Sequence, residues 1–130
     1  MKTQLLMASS AAVMGAAGLA GTFLPQELLR ALQLPASNVP ALLVQLHASL
    51  LLAFAMMNWM AKSSLIGGIY NRPLAVGNLA HFTVGAITLT RFVVAGATIP
   101  FFIATVLYVL FAFAFAYLVF VFSPVVHASS

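Results

Sequence analysis

The chain has 130 residues, of which 64% are hydrophobic and only 5% are charged, and its mean hydropathy is +1.14. One acid and five bases are too few for a water-facing surface, which excludes an ordinary soluble domain and makes lipid the main solvent. The chain has no cysteine, so disulfides, cysteine metal sites and thiol catalysis are excluded. The net charge of +4 comes from scattered bases, not from a basic patch, so we expect lipid head groups and no nucleic acid as partners.

Four apolar runs are long enough to cross a bilayer, which takes about 20 residues. They cover residues 5–24, 41–61, 74–95 and 99–122, and prolines lie at or just beyond their ends. In hydrocarbon the backbone must satisfy its own hydrogen bonds, and runs of this length are too long for barrel strands. The sequence therefore predicts an all-α fold, a transmembrane four-helix bundle that forms a single domain over residues 1–130.

An alternative interpretation of the first run is a signal peptide, with Lys2 ahead of it and Gly-Leu-Ala before Gly21 as a cleavage site. Signal peptides carry an apolar stretch of about 7–15 residues. Because the first run is longer than that, we expect it to be kept as a membrane helix.

Small residues recur along this first helix, and small surfaces let helix backbones approach closely. We therefore expect the helix to be buried against its neighbours, in a packing role. The small residues are Gly15, Gly18 and Gly21 at a spacing of three, and Ala8, Ala12, Ala16 and Ala20 at a spacing of four.

Residues 25–34 separate the first two runs and are too polar and too short to cross a membrane. Pro25 can begin a helix, Glu27 suits its positive end, and leucines form one apolar face. We expect a short amphipathic helix that lies on the membrane surface. Glu27 and Arg30 are three residues apart, so an ion pair between them is expected in preference to acid–base chemistry at Glu27.

The bases also predict an orientation, because cytoplasmic loops carry an excess of Lys and Arg. Lys2, Lys62 and Arg72 would lie on one side of the membrane, and Arg30 and Arg91 on the other. We therefore expect both termini in the cytoplasm of a cell whose inner or plasma membrane holds the protein, with a bacterial membrane as the expected setting.

Polar side chains form a stripe on each of the two middle helices, where they are costly and therefore informative. Asn58 on the second long helix and Asn78 on the third lie at similar distances from the connector between them. Because a short connector makes these two helices antiparallel neighbours, we expect an inner-leaflet cluster of Asn58, Asn78 and His81, with Trp59 at the interface.

A second contact is expected in the outer half of the same two helices, where His47 comes level with Thr88 and Arg91. Both contacts have two interpretations: interhelical hydrogen bonds that fix the helix pairing, or a polar cleft for a lipid head group, a quinone carbonyl or a proton path. The candidate ligand-binding residues are Asn58, Trp59, Asn78, His81, His47 and Arg91.

Two histidines in apolar helices raise the question of haem. Counted from the connector, His47 and His81 differ in depth by roughly 9 Å at about 1.5 Å per residue, so haem is not expected. A zinc site would need a third or fourth ligand, and only His127 remains. We expect no metal site and no catalytic residue, and the possible cofactors are a quinone or a lipid.

The chain resembles the DoxX-like group of small four-helix membrane proteins over roughly residues 15–95. The resemblance is carried by these residues and motifs: Pro25-Gln26-Glu27-Leu28-Leu29, Gln45, Asn58-Trp59, Gly67-Gly68-Ile69-Tyr70, Arg72-Pro73, Asn78 and His81. It implies a four-helix fold and, through the group's namesake, a membrane subunit of a quinone-linked sulfur oxidoreductase. The resemblance implies no catalytic motif. Because the chain has no cysteine, it does not support a thiol-based redox role.

The function that we expect is that of a non-enzymatic integral membrane protein. It would be a small accessory or scaffold subunit of a larger membrane complex, or a binder of a hydrophobic ligand such as a lipid or quinone. The alternatives are a quinone-linked redox accessory subunit and a carrier of small solutes or protons. The expected partners are the lipid bilayer and other membrane subunits, or further copies of the chain.

Overall fold

The computed structural model describes residues 2–64 and 71–121, and this part of the chain is helical with no strand. Five helices follow one another: α1 (Lys2–Phe23), α2 (Pro25–Ala31), α3 (Asn38–Ala61), α4 (Asn71–Val94) and α5 (Ile99–Phe120). The all-α prediction is confirmed, and each predicted helix has a counterpart. The connector around Gly67-Gly68 and the tail with His127 lie outside the described residues.

Two helices begin a few residues earlier than expected, so that each contains a proline in its first turn. α3 begins at Asn38 and contains Pro40, and α4 begins at Asn71 and contains Pro73. The first N–H groups of a helix have no partner within it, so a proline there removes no hydrogen bond. These prolines therefore belong to the helices that they were expected to precede.

The expectation of four apolar spans is met for three of them. Within the described residues three helices, α1, α3 and α5, are long and apolar enough to cross a membrane. α4 has the length, with 24 residues, but not the hydropathy. The physical reason is its content of polar side chains, among them Asn78, His81 and Arg91, which interrupt the apolar sequence.

The helices pack chiefly as two pairs, α1 with α3 and α4 with α5. α3 and α4, which we expected to pack along their length, meet over only a short stretch. The α1–α3 contact is close because Gly18 of α1 lies against α3, where an added Cβ would come within 2.8 Å of Leu52 Cγ and 3.0 Å of the Ala48 carbonyl oxygen. Close approach of this kind favours dispersion contacts between the two backbones.

Only one of the two stripes of small residues on α1 makes this contact. Gly18 and Gly21 are buried against α3, whereas Ala12 and Ala16 are exposed on the opposite side. The packing role expected for the glycines is present, and the alanines at a spacing of four do not all share it.

The core lies where the two helix pairs meet, and its largest buried side chains are aromatic. The ring of Phe82 on α4 stacks on Phe111 and Phe115 of α5, with centroid distances of 4.8 and 5.7 Å. Phe115 is 0% exposed, whereas Phe113 is 74% exposed on the other side of α5. The alternating Phe-Ala segment of this helix therefore places its aromatic rings on two sides, as a helix and not as a strand.

The short helix α2 is attached through one buried leucine, Leu29, and ends in a tight turn. Gln33 adopts φ +59°, while the N–H of Leu34 bonds to the carbonyl of Leu29 at 2.8 Å, which is a helix-ending motif that usually has glycine at the left-handed position. Among the described residues Glu27 and Arg30 form no ion pair, contrary to expectation. Both are exposed, and an exposed pair gains little over solvation of its charges.

Candidate functional site

Asn58 of α3 and Asn78 of α4 form a buried contact across the interface between the two helix pairs. Both side chains are 0% exposed. Asn58 Nδ2 donates to Asn78 Oδ1 at 2.8 Å, and Asn78 Nδ2 donates back to Asn58 Oδ1 at 2.7 Å. The contact expected between these two amides is therefore present, and it joins helices that otherwise touch only briefly.

Ser10 of α1 completes this contact, and the three residues together form what we call the amide cluster. Asn58 Nδ2 also donates to Ser10 Oγ at 3.0 Å, Ser10 Oγ donates to the Met7 carbonyl at 3.0 Å, and Asn78 Nδ2 donates to the Leu74 carbonyl at 2.9 Å. Each amide nitrogen thus has an oxygen acceptor for each of its two hydrogens, and the Met14 sulfur also lies 3.8 Å from Asn58 Nδ2. The cluster is closed, holds no titratable group, and ties α1, α3 and α4 together.

Sequence reasoning missed Ser10 because the first helix was assigned to packing alone. A signal was nevertheless present, since Ser10, Met14, Gly18 and Gly21 follow one another at helical spacings of four, four and three and share one face of α1. A serine on the face that packs against α3 indicates a polar partner on that helix.

His81 does not belong to the amide cluster, contrary to expectation. Its Nε2 lies 3.1 Å from the hydroxyl oxygen of Tyr108 on α5, and its ring centroid lies 6.1 Å from that of His47 on α3, at an interplanar angle of 24°. His81 is half-buried and also contacts Phe54, at 5.6 Å between ring centroids. His47, Phe54, His81 and Tyr108 thus gather rings from three helices.

The expected partners of His47 were Thr88 or Arg91: His47 and Thr88 do line one cavity, but the Thr88 hydroxyl bonds to the Val84 carbonyl, and the ring that His47 meets is that of His81. Residue counting assumed that the backbones of α3 and α4 run side by side from the connector, but each packs mainly along another helix, and α3 and α4 meet through side chains. His47 and His81 consequently approach each other, so the depth difference that was used against a ligand shared by both histidines is wrong.

A cavity of about 370 Å³ adjoins the two histidines, and we call it the histidine cavity. His47 is exposed at the surface of the bundle, which gives the cavity an edge that a molecule in the surrounding hydrocarbon can reach. Its walls combine imidazole and phenol groups with aliphatic side chains. The lining residues are His47, His81, Val84, Gly85, Thr88, Leu89 and Tyr108.

Gly85 allows the Tyr108 ring to lie against α4. A Cβ on Gly85 would overlap the Cδ1 and Cε1 atoms of Tyr108, so no larger residue fits while the ring keeps this place. The ring in turn brings its hydroxyl to His81. Tyr108 was missed from the sequence because its helix was treated as uniformly apolar, although a hydroxyl in an apolar helix usually seeks a partner.

Trp59 and Arg91 belong to neither the amide cluster nor the histidine cavity. Trp59 is 55% exposed, and Lys62 Nζ lies 3.0 Å from its ring centroid, which suits an anchor at a membrane interface. Arg91 is exposed in the last turn of α4. The six candidate residues therefore divide into Asn58 with Asn78, His47 with His81, and two residues that stand apart.

The two clusters differ in what they can do chemically. The amide cluster has used its donors internally, whereas the histidine cavity keeps ring nitrogens and a hydroxyl beside open volume. Within the described part of the chain, no group of three or more His, Cys, Asp or Glu is placed to hold a metal ion. The histidine cavity is therefore the candidate binding site.

Comparison of the chain with protein-family models, with curated proteins and with solved structures gives no match. The resemblance to the DoxX-like group stays a prediction that rests on the sequence motifs alone.

Proposed function

We propose that the chain is a non-enzymatic integral membrane protein that binds a hydrophobic ligand, a lipid or a quinone, by its head group in the histidine cavity. One observation carries the proposal: His47, His81 and Tyr108 converge from three helices on a volume of about 370 Å³. Polar side chains in such surroundings are costly unless they have partners, and a bound head group would supply them.

We further propose that α4 crosses the membrane as a fourth spanning helix. Its 24 residues cover the hydrocarbon thickness at about 1.5 Å per residue. The side chains that lower its hydropathy have partners inside the bundle, since Asn78 is fully buried in the amide cluster and His81 faces Tyr108. Polar groups of spanning helices characteristically face inward in this way.

In this arrangement both termini are cytoplasmic, the amide cluster lies towards the inner leaflet, and the histidine cavity lies towards the outer leaflet of an inner or plasma membrane. Support comes from the count of the bases, because Lys2, Lys62 and Arg72 would lie on the inner side, against Arg30 and Arg91 on the outer side. Trp59, beside Lys62, would then mark the inner interface.

A second candidate function is that of an accessory or scaffold subunit of a larger membrane complex. The observation that favours it is a second groove between α4 and α5, of about 310 Å³, with the small side chains of Ala86, Ala112 and Ala116 in its wall. Small residues allow a helix of another subunit to approach. A redox partner in that complex would make the protein a quinone-linked accessory subunit.

The experiment that tests ligand binding is purification in a mild detergent followed by native mass spectrometry and solvent extraction. We expect a co-purifying lipid or quinone in the wild-type protein. Gly85→Ala should lose most of it, because the new methyl group displaces Tyr108. Gly77→Ala on the same helix is the matched control, since its Cβ would lie at an ordinary 3.5 Å from Phe54 and occupancy should be retained.

The same preparation separates the alternatives. Equal occupancy in wild type and Gly85→Ala, or a wild-type protein that carries and takes up no hydrophobic molecule, would contradict ligand binding in the histidine cavity. Co-elution of other protein subunits in fixed proportion would support the accessory role. A visible absorption band of haem that is lost in both His47→Ala and His81→Ala would show that the two histidines bind a haem iron, and would contradict a lipid or quinone as the ligand.

A further inference from the structure

The His81–Tyr108 pair keeps one proton and at least one lone pair for a further partner, whichever way its own hydrogen bond runs. If the Tyr108 hydroxyl donates to His81 Nε2, the Nδ1–H group and a phenol lone pair remain. If Nε2–H donates to the hydroxyl oxygen, the phenol O–H and the Nδ1 lone pair remain. Among the described residues, Nδ1 has no hydrogen-bond partner in either case.

His47, whose ring stacks on that of His81, carries the same combination. A neutral imidazole carries one N–H donor and one nitrogen acceptor, and neither makes a hydrogen bond to any described residue. Both histidines therefore offer a donor and an acceptor to whatever occupies the cavity that they line together.

The lining of the histidine cavity carries no formally charged side chain. Its seven residues include no Lys, Arg, Asp or Glu. A phosphate or carboxylate head group would enter without a cation to balance it, which is costly in apolar surroundings. A carbonyl head group can only accept, so it would leave the acceptors of the site without a partner.

We propose that the histidine cavity selects, among the lipids and quinones of the proposed function, ligands whose head group is a hydroxyl (an alcohol, a phenol or the quinol form of a quinone) over ligands headed by a carbonyl or a charged group. A hydroxyl donates one hydrogen bond and accepts others, and so matches the mixed donors and acceptors of His81, Tyr108 and His47. The inference rests on the proposed function, that this cavity binds a hydrophobic ligand, and it names the chemistry that the site prefers.

The test is a matched series of three probes with one apolar skeleton: 4-nonylphenol, its methyl ether and nonylbenzene. Binding is measured by calorimetry at one fixed detergent concentration, with protein-free micelles as the blank for partition. We expect the phenol to bind about tenfold tighter than the methyl ether. The phenol donates one hydrogen bond to an acceptor of the site, and the ether leaves that acceptor without a partner. Nonylbenzene should bind no tighter than the ether.

The triple variant His47→Phe, His81→Phe and Tyr108→Phe keeps a ring at each position and removes the donors and acceptors of all three side chains. It should reduce the preference for phenol over ether to about twofold or less while nonylbenzene binds as before. Phe113→Leu, in the groove on the other side of α4, is the control and should leave the full preference intact. Circular dichroism with unchanged helicity confirms that both variants are folded.

The outcomes separate this inference from the proposal beneath it. If the three probes bind the wild-type protein equally, or the ether binds best, the hydroxyl preference is overturned while ligand binding stands. A preference that survives the triple variant unchanged overturns the assignment to this site. If no probe binds beyond micelle partition, the proposed function fails, and this inference fails with it.

Discussion

Asn58 and Asn78 bind each other twice, because each carboxamide donates an N–H to the oxygen of the other across the junction of the two helix pairs. Replacing one amide by leucine leaves the other buried without its partner. We expect Asn58→Leu and Asn78→Leu each to lower the free energy of unfolding by about 1–3 kcal/mol.

The double variant, Asn58→Leu with Asn78→Leu, should lose about 1 kcal/mol less than the sum of the two single losses, since neither amide is then stranded. Unfolding in mixed micelles measures all four proteins. Ser49→Ala, which removes an exposed hydroxyl bonded only to its own helix, is the control and should change little. Strict additivity of the two leucine substitutions would show that the amides do not act as a pair.

The close approach of α1 and α3 gives a second prediction, with a matched pair of glycines. A methyl group at Gly18 would come within 3.0 Å of the Ala48 carbonyl oxygen, part of a backbone that cannot easily move. Gly18→Ala should therefore destabilise the protein by about 1–3 kcal/mol. At Gly15 the added Cβ would lie at an ordinary 3.6 Å from Ala55, so Gly15→Ala should be neutral or stabilising.

Thermal unfolding in detergent compares the two alanine variants with the wild-type protein. A Gly18→Ala protein as stable as Gly15→Ala would show that α1 and α3 are farther apart than the structure places them.

The end of α2 gives a third prediction. Gln33 holds a left-handed backbone conformation, at φ +59°, that glycine adopts without steric cost. Gln33→Gly should raise the free energy of unfolding by about 0.5–1 kcal/mol. Gln26→Gly, inside the same helix, should lower it by up to about 1 kcal/mol. Destabilisation by both substitutions to a similar extent would contradict the turn at Gln33.

The place of α4 relative to the membrane gives a fourth prediction. The chain has no cysteine, so single cysteines can be labelled without background. With α4 as a fourth spanning helix, Gln4→Cys and Ser64→Cys should react with an impermeant maleimide from one side of sealed vesicles, and Ser37→Cys and Ala95→Cys from the other. Labelling of Ser64→Cys and Ala95→Cys from the same side would show that α4 does not cross.

Much of the fold could be predicted because long apolar runs and prolines are local signals. Helix positions follow from them, and so does the Asn58–Asn78 contact, which lies near the connector where residue counting accumulates little error. The pairing of the helices could not be predicted in the same way. Periodicity gives the faces of a helix, but it does not say which neighbour each face meets.

The histidine site shows the same limit. His81 was placed on the correct helix, and its partner was sought on α3 near Asn58, although α4 packs mainly on α5. Tyr108 stands in a nearly continuous run of apolar side chains. The role of Gly85, which is to leave room for the Tyr108 ring, follows only from the packing of α4 on α5. Such contacts depend on how two helices are rotated about their axes, which composition and spacing leave open.

The division into two helix pairs implies an order of assembly. α1 and α3 precede α4 and α5 along the chain, so in the proposed arrangement the first pair inserts while Asn58 has Ser10 but still lacks its partner amide. Asn78 enters with only the carbonyl of its own helix. Each helix pair thus holds one amide that lacks its full set of hydrogen bonds in hydrocarbon until the other pair has packed against it. The Asn58–Asn78 contact therefore favours the correct docking of the two pairs over other arrangements.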